Sequence, residues 1–156
     1  MKVRGAKISD VKAIHALVNS YAEQDQMLFR SMADIYKGLQ TFLVAEENGT
    51  VAGCCSLEII WSDLAEVKSL AVADANKGCG VGKMLVREAI ERARGLGAGR
   101  VFALTLNPEF FRKMSFELID KALLPMKVWS DCARCPKQAK CDEVAVVRKL
   151  EQGGIS

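Results

Sequence analysis

The sequence predicts an α/β fold with a mixed central β-sheet and helices on both faces, and three observations predict it. Residues 67–85 run without a break from an apolar strand through a glycine turn into an amphipathic helix. Asn48-Gly49 lies between two apolar runs, which is the strongest short hairpin signal a chain offers. A further apolar strand follows the amphipathic helix, so antiparallel hairpins come first and a βα crossover later.

Taken in order, residues 2–8 read as a first strand. Ser9 is then the expected N-cap of a helix carrying Val11, Ile14, Val18 and Tyr21 on one face. A polar break at 23–26 precedes a shorter helix expected over residues 29–39. Residues 41–46 and 51–61, rich in Val, Ile, Leu and Cys, form the hairpin, and Ser62-Asp63 turns the chain into a strand over 64–72. The helix after the glycine turn places Val81, Leu85, Val86, Ala89, Ile90 and Ala93 inward, with Arg87, Glu88, Glu91 and Arg92 outward. Gly95, Gly97 and Gly99 end it, and residues 100–106 return as a buried strand. The expected order is β-α-α-β-β-β-α-β-α-β, in a single domain over 1–150 with a frayed tail at 151–156.

Composition narrows the function. Half of the 156 residues are hydrophobic, enough for a real core, and a net charge of +3 is too weak to argue for nucleic acid or a membrane surface. The first eight residues have no apolar signal-peptide stretch, and nothing approaches the roughly 20 apolar residues that span a bilayer. The expectation is a cytoplasmic protein with its six cysteines reduced. Its assembly state, a homodimer included, stays open.

The turn itself is an anion-binding layout. Gly78, Gly80 and Gly82 let the backbone approach a phosphate, and the first N–H groups of the following helix have no intrahelical partner. A Walker loop fails because position 77 is lysine rather than glycine and position 84 is methionine. The dinucleotide fingerprint fails because its third glycine comes one residue early. What remains is Lys77-x-x-Gly80-x-Gly82, which resembles the acyl-CoA pyrophosphate loop of the GNAT superfamily of N-acetyltransferases. The resemblance assigns acetyl-CoA as co-substrate and Lys77, Gly78, Cys79, Gly80, Val81, Gly82 and Lys83 as its phosphate cradle.

A second segment, Asn107 to Phe116, is similar to that superfamily's next signature, with Phe110, Lys113 and Phe116 in register. Two positions depart. Ser115 replaces the usual glycine, and Phe111 stands where a tyrosine often protonates the departing thiolate. Phe111 can line the cofactor but cannot donate a proton, so that proton must come from water or another group. Residues 61–72, 101–105, 108–111, 124–132 and 135–144 sharpen the resemblance to the short stand-alone bacterial N-acetylglutamate synthases.

That resemblance implies direct acetyl transfer to the α-amine of L-glutamate, the first step of arginine biosynthesis. The backbone around Leu70, Ala71 and Val72 would receive the thioester, with the Leu70 and Val72 N–H groups donating to the acetyl carbonyl and the pantetheine arm. Glu66 would be the base, with Glu58 the next candidate; its alternative is a strand-end carboxylate paired with Lys68. Strand alternation predicts Glu66, Lys68, Leu70 and Val72 on one face and Val67, Ser69 and Ala71 on the other. The acceptor's carboxylates call for cations, preferably the planar fork of arginine. Leu28 and Arg30, followed by Ser31, resemble the synthase acceptor motif; Lys68 and Arg134 complete the expected set, with Lys127 a further candidate. Each arginine could instead be a solvated surface cation.

Cys132-x-x-Cys135-x5-Cys141 has zinc-like spacing but wants a fourth ligand, for which Asp131, Asp142 and the single histidine, His15, are the options. Reduced thiols in an ordered loop are the default, and zinc is not favoured. Cys54, Cys55 and Cys79 are expected as small buried or loop residues. Two other functions compete: acetylation of a different amine, glutamine first among them, and a catalytically weak acyl-CoA-binding regulatory module.

Overall fold

The computed structural model describes residues 1–24, 27, 29–124 and 143–150. In chain order the elements are β1 (Lys2–Gly5), α1 (Val11–Glu23), α2 (Met32–Lys37), β2 (Phe42–Glu47), β3 (Thr50–Trp61) and β4 (Leu64–Val72). They continue with α3 (Val81–Gly95), β5 (Arg100–Thr105), α4 (Pro108–Arg112), β6 (Glu117–Ile119) and β7 (Val144–Lys149). Two compact units emerge, one of Met1–Leu57 with Val67–Arg92, the other of Glu58–Glu66 with the described residues from Ala93 onward. Pairing runs β1-β2-β3-β4 in the first and β4-β5-β7-β6 in the second. It is parallel between β4 and β5 and antiparallel between β1–β2, β2–β3, β5–β7 and β6–β7, which makes the sheet mixed, as expected.

In the first unit, β3 shows why helices cover both faces. Cys54 points into a cluster with Val11, Ile14 and Val18 of α1, Ile35 of α2, and Phe42 and Val44 of β2. Its neighbours Gly53 and Cys55 point the other way, to α3: the Cys55 thiol lies 3.8 Å from the Leu85 carbonyl. At Gly53 an added Cβ would stand 3.0 Å from Val81 Cγ1 and 3.1 Å from both the Ala71 carbonyl and Leu85 Cδ1. Only glycine lets α3 pack this close. The six inward residues expected on α3 are all buried.

The hairpin turn is as expected: Asn48 and Gly49 take φ of 52° and 79°, the left-handed pair a tight two-residue turn requires. The entry to α1 differs from expectation. β1 stops at Gly5, and Ser9 lies inside a short 3-10 turn, Ile8–Asp10. The cause is electrostatic. Asp10 accepts from the Lys7 N–H at 2.7 Å and from Arg4 Nη1 at 2.7 Å, while Arg4 Nε reaches Glu46 at 2.9 Å. α2 is also shorter than expected because Ser31 caps it, accepting from the Asp34 N–H at 3.1 Å.

In the second unit Leu64, Phe102, Leu124 and Ala145 form the core, with Ile60, Leu104, Ile119 and Val147 at its rim. The Asp63 carbonyl accepts from the Gly99 and Arg100 N–H groups, which fixes where β5 begins. Two strands, β6 and β7, follow α4 where one was expected; β6 is three residues long and mostly exposed, without an apolar run to announce it. At the end of α4, Ser115 takes φ of 69°, the left-handed conformation its missing glycine would adopt freely, and Phe116 N–H closes back on the Phe111 carbonyl at 3.1 Å. No helix among the described residues is long and apolar enough to cross a membrane.

Candidate active site

The glycine loop lies in the first unit, between a 3-10 turn at Asp74–Asn76 and α3. Gly78 and Gly80 take φ of 80° and 83°, and a Cβ at either would meet nothing within 4 Å. The loop is thus bent by left-handed backbone and open above. Met84 N–H is the first to close a helical bond, on the Gly80 carbonyl at 3.1 Å. The N–H groups of Val81, Gly82 and Lys83 precede it, as the first turn of a helix requires. Cys79 differs: its N–H is engaged by the Asn76 carbonyl at 3.4 Å, and its exposed thiol lies on the loop. Lys77 turns back from the loop, its ammonium 2.9 Å from Asp74 Oδ1 and 5.1 Å from the centre of the Tyr21 ring. Asp74 holds that ammonium's pKa above the ordinary lysine value.

β4 carries an irregularity that alternation does not foresee. Ser69 has φ of 55°, and the expected two-face pattern through Val72 breaks there. A left-handed non-glycine residue costs on the order of 1–3 kcal/mol and persists only where its surroundings hold it. Here the hydroxyl is held by Arg30, whose Nη1 donates to Ser69 Oγ at 3.2 Å and lies 3.4 Å from Ser56 Oγ. Ser56 is fully buried and donates in turn to the Lys68 carbonyl at 3.3 Å. The guanidinium also lies over Phe42, 5.0 Å from the ring centre.

Arg30 is fixed from behind by a residue that no motif or pattern singles out. Asn19 of α1, almost fully buried, donates through Nδ2 to the Arg30 carbonyl at 3.2 Å and accepts from the Arg30 N–H at 3.3 Å. Arg30 is therefore no freely solvated surface cation. Two hydroxyls, an aromatic face and a backbone clamp define where its fork lies, an arrangement suited to a carboxylate.

Further along β4, Val72 N–H donates to the Tyr21 hydroxyl at 3.2 Å, and that hydroxyl lies 3.1 Å from the Val72 carbonyl. In the second unit Glu66 is a buried carboxylate, 5% exposed, on the last β4 residue paired with β5, opposite Phe102. Glu58 is only half-buried, on the solvent-side end of β3. Phe111 is buried on α4, edge-on to Phe110 and Phe116 at 5.0 and 5.1 Å.

Cys54 and Cys55 are buried as expected; burial raises the Cys54 thiol to about 12 and pushes Cys55 up as well, so neither is a nucleophile. His15 is half-buried on α1, edge-on to Phe29. Leu28, Lys127, Arg134 and the cysteines at 132, 135 and 141 lie outside the described residues. Among those described, no group of three His, Cys, Asp or Glu could hold a metal ion.

Residues 9–116 match the acetyltransferase (GNAT) family model. An uncharacterised N-acetyltransferase of Chlorobaculum tepidum is 40% identical over 148 residues, covering 95% of this chain and 96% of the relative. An amino-acid acetyltransferase of Mycobacterium tuberculosis is 38% identical over 135 residues, covering 85% of this chain and 77% of the relative. Among solved structures, Rv2747 of Mycobacterium tuberculosis, in complex with CoA and NLQ, superposes with a TM-score of 0.85 at 32% identity, over 97% of this chain and 100% of that one. N-acetylglutamate synthase of Neisseria gonorrhoeae, complexed with coenzyme A and N-acetyl-glutamate, superposes with a TM-score of 0.88 at 28% identity, over 96% of this chain but 35% of that one.

Proposed function

Because the chain belongs to the GNAT family of acetyltransferases and takes acetyl-CoA as co-substrate, we propose that it acetylates the α-amine of L-glutamate, as an N-acetylglutamate synthase of arginine biosynthesis. The carrying observation is the Arg30 seat: a guanidinium oriented by Ser56, Ser69 and Phe42 and clamped by Asn19 is built to take a carboxylate. Relatives named as amino-acid acetyltransferases support the amino-acid class of acceptor, and the gonococcal structure with N-acetyl-glutamate supports glutamate within it.

The chemistry asks little of the protein beyond positioning and one proton acceptor. The left-handed loop and the leading N–H groups of α3 hold the pyrophosphate. The Leu70 N–H donates to the acetyl carbonyl, so negative charge on that oxygen is stabilised as the amine adds. The Val72 peptide receives the pantetheine arm. Glu66 takes the proton of the incoming ammonium, directly or through water. The C–S bond then breaks as the nitrogen sheds its second proton to solvent, and water protonates the thiolate, since Phe111 has no proton to give. Leu28, Lys68 and Arg134 complete the acceptor side in this reading.

An acceptor panel following CoA release tests the proposal. Glutamate should give the highest kcat/KM among amino acids, glutamine included. Turnover confined to amines lacking carboxylates would refute it.

A further inference from the structure

Tyr21 makes a contact that the reaction as read above does not use. Just past the end of β4, Ala73 N–H donates to the Ala52 carbonyl of β3 at 2.8 Å. Peptide groups alternate sides along a strand, so the Val72 N–H points away from β3. An unpaired N–H and C=O on a strand edge need partners, and here both find one atom. The Tyr21 hydroxyl, 51 residues distant in sequence, accepts from Val72 N–H at 3.2 Å and donates to Val72 O at 3.1 Å. It behaves as a one-atom substitute for a neighbouring strand. The ring is packed against the core cluster of the first unit, and the Lys77 ammonium lies over it. Of the chain's two tyrosines the other, Tyr36, is exposed on α2.

We propose that the Tyr21 hydroxyl is a placeholder for an amide of the acyl-CoA pantetheine arm: it occupies the Val72 peptide in the free protein and must leave when acyl-CoA binds. This rests on the reading that Val72 receives that arm. An amide offers the same pair of functions, a donor and an acceptor, that the hydroxyl now supplies. The same edge cannot bond both, so Tyr21 sets a competing closed state, and observed affinity is reduced by the fraction of protein in it.

Tyr21→Phe keeps the ring and removes the competitor. It should lower the Kd for acetyl-CoA about three- to tenfold, the range for one net hydrogen bond released. The Kd for 3′-phosphoadenosine 5′-diphosphate, which has the pyrophosphate but no pantetheine arm, should not change. Unchanged or weakened acetyl-CoA binding, or equal tightening of both ligands, overturns the placeholder. A measurement on the wild-type side chain stands beside the variant. With tyrosines labelled at Cζ and the two resonances assigned through Tyr36→Phe, saturation with acetyl-CoA should move the Tyr21 signal toward that of a hydrated phenol, and the truncated nucleotide should leave it in place. A Tyr21 signal unmoved by bound acetyl-CoA also overturns the proposal, while leaving the acetyltransferase reading intact. Absence of acetyl-CoA binding to the wild-type protein would refute both.

Discussion

Replacing Arg30 by alanine separates acceptor recognition from everything else the protein does. The truncated side chain loses two long bonds to Ser56 and Ser69, at 3.4 and 3.2 Å, and a cation–π contact at 5.0 Å. These amount to about 1–2 kcal/mol of stability, a loss a folded domain survives. The effect on the acceptor is larger in kind, because a bound carboxylate is left without charge-assisted bonds, at a cost of about 1.5–3 kcal/mol. That corresponds to a rise of roughly 10- to 150-fold in KM for glutamate, with KM for acetyl-CoA within about twofold of wild type. The assay follows CoA release at saturating acetyl-CoA while glutamate is varied, then the converse. Glutamine in parallel tells which carboxylate is held: an equal loss with both acceptors places the fork on the α-carboxylate, and a loss with glutamate alone places it on the side chain. An unchanged KM for glutamate in a folded Arg30→Ala protein would refute the assignment of this seat.

Three further outcomes are expected. Glu66→Gln should reduce kcat by roughly 10²- to 10⁴-fold with acetyl-CoA affinity retained, the range for loss of a general base; a near wild-type kcat would remove Glu66 from the mechanism. Ser115→Gly relieves the left-handed backbone at the end of α4 and should raise stability by about 1 kcal/mol, read as a higher thermal midpoint, whereas Ser115→Val should lower it. Asp10 is held below the ordinary carboxylate pKa, chiefly by its hydrogen bond to Arg4. Its stabilising share is therefore complete above about pH 4, near the unfolded value, and is lost as pH falls through the depressed folded value. Denaturant unfolding of Asp10→Asn should show a correspondingly flatter acid limb than wild type, and parallel limbs would disprove the coupling.

The parts legible in sequence are those set by local repetition. β4 lies at Leu64–Val72 as read from the sequence, and the buried stripe of α3 was visible because each is one uninterrupted pattern of apolar residues. The Asn48-Gly49 turn was legible because few residues accept two successive positive φ values. What escaped was tertiary. Asn19 reads as one polar residue on a helix until the chain returns 11 residues later with Arg30's backbone. Ser69 carries no sign that its backbone is left-handed, since serine sits in a strand without comment and the support comes from Arg30, 39 positions earlier. The start of α1 moved because an ion-paired aspartate outcompeted the serine beside it as the local organiser.

Asn19 and Tyr21 stand two residues apart on the last turns of α1, one clamping the backbone of Arg30 and the other occupying the Val72 peptide. One short piece of helix thus touches the seats proposed for both substrates. If the departure of Tyr21 shifts that turn, the acceptor seat feels it, and the two occupancies become thermodynamically linked. Such linkage is reciprocal: whatever factor acetyl-CoA applies to the affinity for the acceptor, the acceptor applies to acetyl-CoA. The order in which the substrates are captured would then be written into the geometry of α1 rather than into either seat alone.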